Sequence, residues 1–279
     1  MPTQVDHSQL QAAADALGWY HTIDLAPGVT TRGEVDCRGI VARTMLPERL
    51  DGMRALDVGT WDGFWAFELE RRGAEVVTVD IPAAELLDWP PRAKVSDAAA
   101  EWKERLAVIP LGQGFELARE ALGSQVRRER VSVYDLSEAE LGTFDLVFVG
   151  SILVHLRDPV AALAALRPLA KGPVIVNETI DLLPTLYSPR TPRARFAGDG
   201  DLVLWWHPNL AGVIQMTRSA GFDVVDRSGV FFIPWGEGYA GRPSPKAWLT
   251  AMRTAQGREL ALTWARGIAH CSLHCMVIQ

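Results

Sequence analysis

The chain has 279 residues, 48% of them hydrophobic and 22% charged, with a formal net charge of −6. This size and composition fit one folded domain with insertions and exclude a disordered chain. The negative balance disfavours broad binding to nucleic acid, where affinity grows with the number of Lys and Arg that displace counterions, and no run of about 18 apolar residues exists to cross a bilayer.

In chain order, helical spacing of apolar residues predicts a short helix over 8–17. The polar, glycine-containing stretch from Trp19 to Arg43 reads as irregular, so residues 1–53 are expected to form a cap on a main domain of 54–279. From Arg54, short runs of branched side chains alternate with amphipathic stretches, the pattern of βα units around a parallel sheet. Strands are predicted at 55–58, 76–79, 130–133, 144–149 and 173–177, and helices at 63–72 and 159–169. The stretches 81–129 and 181–208 are longer than a crossover needs. Prolines at Pro82, Pro90, Pro91 and Pro110, and at Pro184, Pro189, Pro192 and Pro208, mark both as insertions, the second lying over the ligand edge. A helix over 209–220 and strands over 221–232 and 268–278 follow. Two arginine runs, Arg127, Arg128 and Arg130 and then Arg190, Arg193 and Arg195, read as solvated faces. The polar N-terminus MPTQVDHSQL lacks the features of a secretory signal, and Cys37, Cys271 and Cys275 give no even-numbered disulfide framework. Both point to the cytoplasm.

Chemistry concentrates in LDVGTWDGFWAFELERRGAEVVTVD, residues 56–80: a buried strand, a turn with Gly59 and Gly63, a helix, and a second strand ending in an acid. Glycine lets backbone approach a ligand, the helix N-terminus offers free N–H groups, and Asp80 is placed to accept from ribose hydroxyls. The turn is not GxGxxG: Thr60, Trp61 and Asp62 separate two glycines, and the bulk of Trp61 obstructs a pyrophosphate. A nicotinamide dinucleotide is therefore disfavoured. Asp57 suits the ammonium of a methionyl group, reached directly or through water.

These residues resemble the first motif of the class I S-adenosylmethionine-dependent methyltransferases, over about Ala55 to Phe232. The resemblance implies an α/β, Rossmann-like doubly wound sheet of seven strands, six parallel and the seventh antiparallel. It places Gly59 and its neighbours along the methionyl part of S-adenosylmethionine, Asp80 on the ribose and Ile81 beside the adenine. It also places Tyr134 and Asp135 at the adenine, and Gly150 and Ser151 beside the sulfonium. A narrower likeness is to the tRNA wobble-uridine carboxymethyltransferases and the bacterial proteins grouped with them. It is carried by WYHTIDLAPGV (19–29), residues 56–82, and FDLVFVGSILVHLRDP (144–159). Those enzymes have a tyrosine where Val154 stands, which favours plain methyl transfer here. From the same likeness, Trp19, Tyr20 and His21 are expected to cover the donor from the N-terminal side.

Methyl transfer is an in-line displacement that needs alignment, and a base only if the acceptor carries a proton. His155, just past the fourth strand, and Glu178, at the end of the fifth, are the candidate bases. Their presence favours an oxygen acceptor. Trp205, Trp206 and His207 in the second insertion are candidates to sandwich a small or medium-sized acceptor. His270, Cys271, His274 and Cys275 resemble a metal motif, but strand geometry sends the two residue types to opposite faces, and residues four apart stand ~13 Å apart, so no metal is assigned. A tRNA acceptor and a non-catalytic scaffold that keeps the donor site are the alternative readings.

Overall fold

The structure, a computed structural model, describes residues 6–90, 111–198, 203–241 and 243–278. Pro91 and Pro110 of the first predicted insertion lie outside the described residues.

Helix α1 (His7–Asp15) begins where the Asp6 carboxylate accepts from the Ser8 and Gln9 amides, and it buries Leu10 and Ala14. The stretch expected to be irregular holds four short strands: β1 (Trp19–His21), β2 (Asp24–Ala26), β3 (Val29–Thr30) and β4 (Gly33–Val35). With two or three residues each, they are too short for alternation to register in sequence. β1 and β4 pair in parallel around the β2–β3 hairpin. Val35 bridges to Trp235, and the Gly236 and Gly238 amides donate to the carbonyls of Glu34 and Gly33, so the cap is stitched to a distant loop.

The main domain runs β5 (Arg54–Val58), α2 (Phe64–Arg71), β6 (Glu75–Asp80), α3 (Gln113–Leu122), β7 (Arg127–Arg130), α4 (Glu138–Leu141) and β8 (Leu146–Gly150). It continues with α5 (Pro159–Ala165), β9 (Val174–Thr179), α6 (Leu182–Tyr187), β10 (Ala194–Phe196), β11 (Trp206–Pro208) and α7 (Leu210–Ser219). It closes with β12 (Phe222–Arg227), β13 (Phe231–Ile233), α8 (Pro245–Ala251), α9 (Ala255–Arg266) and β14 (Ile268–Val277). The sheet order is β12-β14-β9-β8-β5-β6-β7, with β14 antiparallel to both neighbours. This is the expected Rossmann-like sheet, with one addition. The stretch 221–232 breaks at Ser228 and Gly229 into β12 and β13, which share the long β14 as partner. Ser228 latches the break, its amide donating to the Ser272 carbonyl and its hydroxyl accepting from the Ser272 amide.

The strands read as continuous apolar runs because both faces are buried. Ala55, Val76, Leu146, Phe148 and Ile175 pack with the cap, α2 and α3. Leu56, Val58, Val77, Val147 and Val176 pack with α5 and α7 on the other side.

Three expectations are corrected. The third strand is 127–130, not 130–133: Thr78 is opposite Arg128 and Asp80 opposite Arg130, while Val133 turns away into a 3-10 turn capped by Ser132. The first arginine run is therefore an edge strand in which Arg127 and Arg130 are exposed, as a solvated face requires, and Arg128 is not. Arg128, its side chain only 5% exposed, lies over the Phe115 ring and pairs with Asp80 at 3.1 Å. Third, α8 and α9 fill a stretch for which the sequence reading assigned nothing. No described helix is long and apolar enough to cross a membrane.

Candidate active site

The ends of β5, β6, β8 and β9 open into a cavity of about 1220 Å³, roofed by the cap, the 181–208 insertion and α9. Its position is the carboxyl edge where doubly wound sheets take ligands, and it is larger than the usual single-ligand pocket.

At one end is the turn after β5. Gly59 has φ +77, a conformation that favours glycine, and a Cβ built there would lie 2.6 Å from Ile152 Cδ1, which would have to shift. Trp61 takes φ +52 and aims its amide at the Asp80 carboxylate, 3.1 Å away. The other Asp80 oxygen accepts from the Ile81 amide at 2.9 Å. Burial pushes the Asp80 carboxyl up, against the opposing pull of Arg128 and the two amides. Ile81, Leu86, Leu87, Trp89, Ser132 and Val133 continue the wall as an apolar slot. A glycine that admits close approach, a carboxylate at the strand end and a flat apolar slot beyond it suit an adenosyl group with a methionyl tail.

Several expected contacts fall elsewhere. Asp57 is 1% exposed and lies behind the turn, where Thr78 donates to its side chain and main chain, so it is not a direct ligand for an amine. Burial pushes it up to about 6 against the Thr60 and Thr78 hydroxyls. Thr60 is likewise buried away from the cavity. Gly63, φ +95, faces the Phe67 and Phe115 rings and serves the packing of α2 on α3. Tyr134 reaches the cavity wall, but its hydroxyl donates to Asp88 and accepts from the Asp158 amide, bracing the roof. Asp135 is exposed and outside the cavity; Ser132 and Val133 hold the place expected for it.

Trp19, Tyr20 and His21 line the cavity as expected. They are held by Asp62, unassigned by the sequence reading, whose carboxylate accepts from the Tyr20 and His21 amides at 2.9 and 2.7 Å and engages His21 Nδ1. Its only signal was an acid inside the glycine turn. Gly150 and Ser151 stand at the end of β8.

His155 lines the cavity in the 3-10 turn after β8, and its Nδ1 donates to the Val203 carbonyl. Nε2 is therefore the ring's acceptor, and burial pushes the imidazole below its ordinary value, keeping it neutral. Glu178 is corrected as a base: it is fully buried, absent from the cavity wall, and accepts from the Leu153 and Thr179 amides at 2.7 Å each. Burial pushes it up to about 8 despite those amides and that of Val154. It holds the turn that carries His155.

The other end of the cavity is walled by Phe232, Trp235, Tyr239, Leu260 and Thr263, with Trp235 and Tyr239 stacked at 3.7 Å. His207 lines it, but Trp205 and Trp206 do not: Trp205 packs under Arg157 and donates to the Asp88 carbonyl, and Trp206 packs on Phe196. Asp181, Glu259 and Arg195 complete this wall. Burial and the adjacent Glu259 carboxyl push Asp181 up to about 7, with Arg195 at 3.8 Å pulling the other way. None of these three was legible as a site residue, since they come from an insertion and from the unassigned α9.

No family model matches the chain. It is 26% identical over 219 residues to a ubiquinone biosynthesis O-methyltransferase of Cereibacter sphaeroides, covering 74% of this chain and 75% of that one. It is 29% identical over 131 residues to a magnesium-protoporphyrin O-methyltransferase of Rhodobacter capsulatus, covering 47% and 46%. Among solved structures, the N-terminal domain of EvdMO1 with SAH (S-adenosylhomocysteine) bound superposes with a TM-score of 0.56 at 15% identity, over 100% of both chains. Sheet order, donor turn and relatives define the class: the chain is an S-adenosylmethionine-dependent methyltransferase with the Rossmann-like fold.

Proposed function

We propose that the protein methylates a hydroxyl oxygen on a small or medium-sized acceptor. The observation that carries this reading is His155, neutral, with Nε2 as an acceptor, on the wall of one continuous cavity that has the Asp80 slot at one end and the Trp235–Tyr239 wall at the other. Relatives named as O-methyltransferases support it.

Bound S-adenosylmethionine supplies an electrophilic methyl carbon on a sulfonium. Asp80 and the Gly59 turn orient the donor, and the aromatic wall orients the acceptor so that its oxygen lies in line with that carbon. His155 Nε2 takes the hydroxyl proton as the new C–O bond forms and the C–S bond breaks. Glu178 keeps the His155 turn in register, and the described part of the cap excludes water through Trp19, Tyr20 and His21. The buried, unpaired cysteines agree with a reducing cytoplasm.

The motifs shared with tRNA wobble-uridine enzymes favour a second reading, a tRNA acceptor. Burial of Arg128 inside the first arginine run weighs against it, as does Val154 against carboxymethyl transfer. The test is label transfer from methyl-labelled S-adenosylmethionine to a panel of phenols and catechols, with bulk tRNA in parallel. Label recovered as a small-molecule methyl ether supports the proposal; label recovered only in tRNA overturns it. A protein that binds the donor and labels nothing in either pool is the scaffold.

A further inference from the structure

Two arginines of the second run, Arg193 and Arg195, line a groove of about 650 Å³ beside the active cavity. Asp181, Arg195, His207 and Glu259 line both spaces and so form the partition between them. Arg193 abuts β10 and Arg195 lies within it, so the two side chains leave one face of an extended segment with Cα atoms roughly 7 Å apart. The backbone beneath them is fixed. Asn209, fully buried, accepts from the Arg193 and Gly212 amides on Oδ1 at 2.9 and 2.8 Å and donates from Nδ2 to the Thr191 carbonyl at 3.0 Å. Its own amide donates to the Arg193 carbonyl, and Arg195 is paired opposite His207 in the β10–β11 hairpin.

On this fixed backbone, neither guanidinium donates a hydrogen bond to another of the described residues. Arg195 stands 3.8 Å from Asp181, beyond hydrogen-bonding distance, and Arg193 lies over the Tyr187 ring at 5.9 Å. The carboxyls of the partition are engaged with each other and with α6. Glu259 accepts from the Leu182 and Leu183 amides at 2.7 and 3.1 Å, and its carboxyl meets that of Asp181, which is pushed up to about 7. Below that pH the pair carries one negative charge against two positive ones on the arginines. The groove is thus locally positive on a chain whose net charge is −6.

We infer that Arg193 and Arg195 bind an anionic tail of the acceptor, a phosphate ester or diphosphate, in this groove, while the acceptor's hydroxyl end lies in the active cavity past Arg195 and His207. This rests on the proposed small-molecule acceptor. The planar fork of a guanidinium matches the oxygens of a phosphate, and two forks on one face can each take a separate pair of oxygens of a diphosphate. A phosphate tail on a small acceptor and the backbone of a nucleic acid offer the same chemistry; the acidic chain favours the first.

The first test needs no turnover: calorimetric titration of the full chain with pyrophosphate at low ionic strength, S-adenosylhomocysteine being present. The wild type is expected to bind with a dissociation constant below about 1 mM, and Arg193→Gln and Arg195→Gln each to weaken it by about fivefold to tenfold. Arg193→Gln carries the test if Arg195→Gln does not fold, and Arg49→Gln, just before β5, should change nothing. No binding, or equal weakening by Arg49→Gln, overturns the groove as an anion site. In the label-transfer assay pyrophosphate should compete with the acceptor and not with S-adenosylmethionine; competition with the donor alone overturns the inference. Displacement of pyrophosphate by bulk tRNA at a lower phosphate concentration makes nucleic acid the source and overturns the small acceptor's tail. Arginine-dependent binding in a protein that labels no small alcohol supports the anion groove and overturns the proposed oxygen acceptor alone.

Discussion

Replacing Asp80 by alanine removes two things that the structure separates. The first is the proposed acceptor for the ribose hydroxyls. Two hydrogen bonds to a carboxylate at about 1.5 kcal/mol each amount to about 3 kcal/mol, or a loss of donor affinity of roughly a hundredfold. The second is the partner of Arg128, whose guanidinium is 5% exposed and lies 3.1 Å from the carboxylate. Leaving that charge buried and unpaired costs on the order of 3–5 kcal/mol of stability. The assay pairs thermal unfolding with calorimetric titration of S-adenosylhomocysteine at a temperature where each variant is folded. Asp80→Ala is expected to fail on both counts, and adding Arg128→Leu to recover stability but not affinity. Affinity within about threefold of the wild type in folded Asp80→Ala refutes the ribose assignment. Recovery of affinity in the double variant would mean that Asp80 acts only by holding Arg128.

His155→Gln is expected to lower kcat by about 100-fold or more with little change in donor affinity. Because burial favours the neutral imidazole, wild-type kcat/KM should be level at pH 7 and above and fall only below about pH 6.5; a fall beginning above pH 7 contradicts the assignment. Glu178, pushed up to about 8, holds a proton in the fold that the unfolded chain has already released. Its contribution to stability is therefore full below about pH 4.5 and is lost as pH rises to about 8, and Glu178→Gln should flatten this part of the unfolding-temperature profile. An unchanged slope would show that the group is ionised in the fold. Gly59→Ala should weaken S-adenosylhomocysteine by at least about tenfold through the left-handed backbone and the contact with Ile152, and Ile152→Val should restore only the part due to the contact. Full affinity in Gly59→Ala would mean that the turn does not hold the donor.

Local pattern made the frame of this protein legible. Strands buried on both faces leave continuous apolar runs, and a glycine turn followed by a helix and an acid-ended strand suggests a nucleoside site at Gly59 and Asp80; the resemblance added Ile81, Gly150 and Ser151, and all five line the cavity. What escaped the sequence depends on partners far away in the chain. Arg128 reads as one member of a charge run until the β6–β7 register sets it beside Asp80. Glu178 reads as a base at a strand end until the pleat turns it from the cavity to three backbone amides. Trp205 and Trp206 read as a ligand clamp, yet Trp205 is buried beneath Arg157 and Trp206, in hairpin β10–β11, packs on Phe196. Asp181, Arg195, Glu259 and the Trp235–Tyr239 pair carried no motif, because they converge only when α9 and the 181–208 insertion fold over the sheet edge. The stretch from Gly59 to Ile81 on the cavity wall is contiguous in sequence because one βαβ unit builds it; the wall around Trp235 and Tyr239 is assembled from separate segments, and only their tertiary packing decides it.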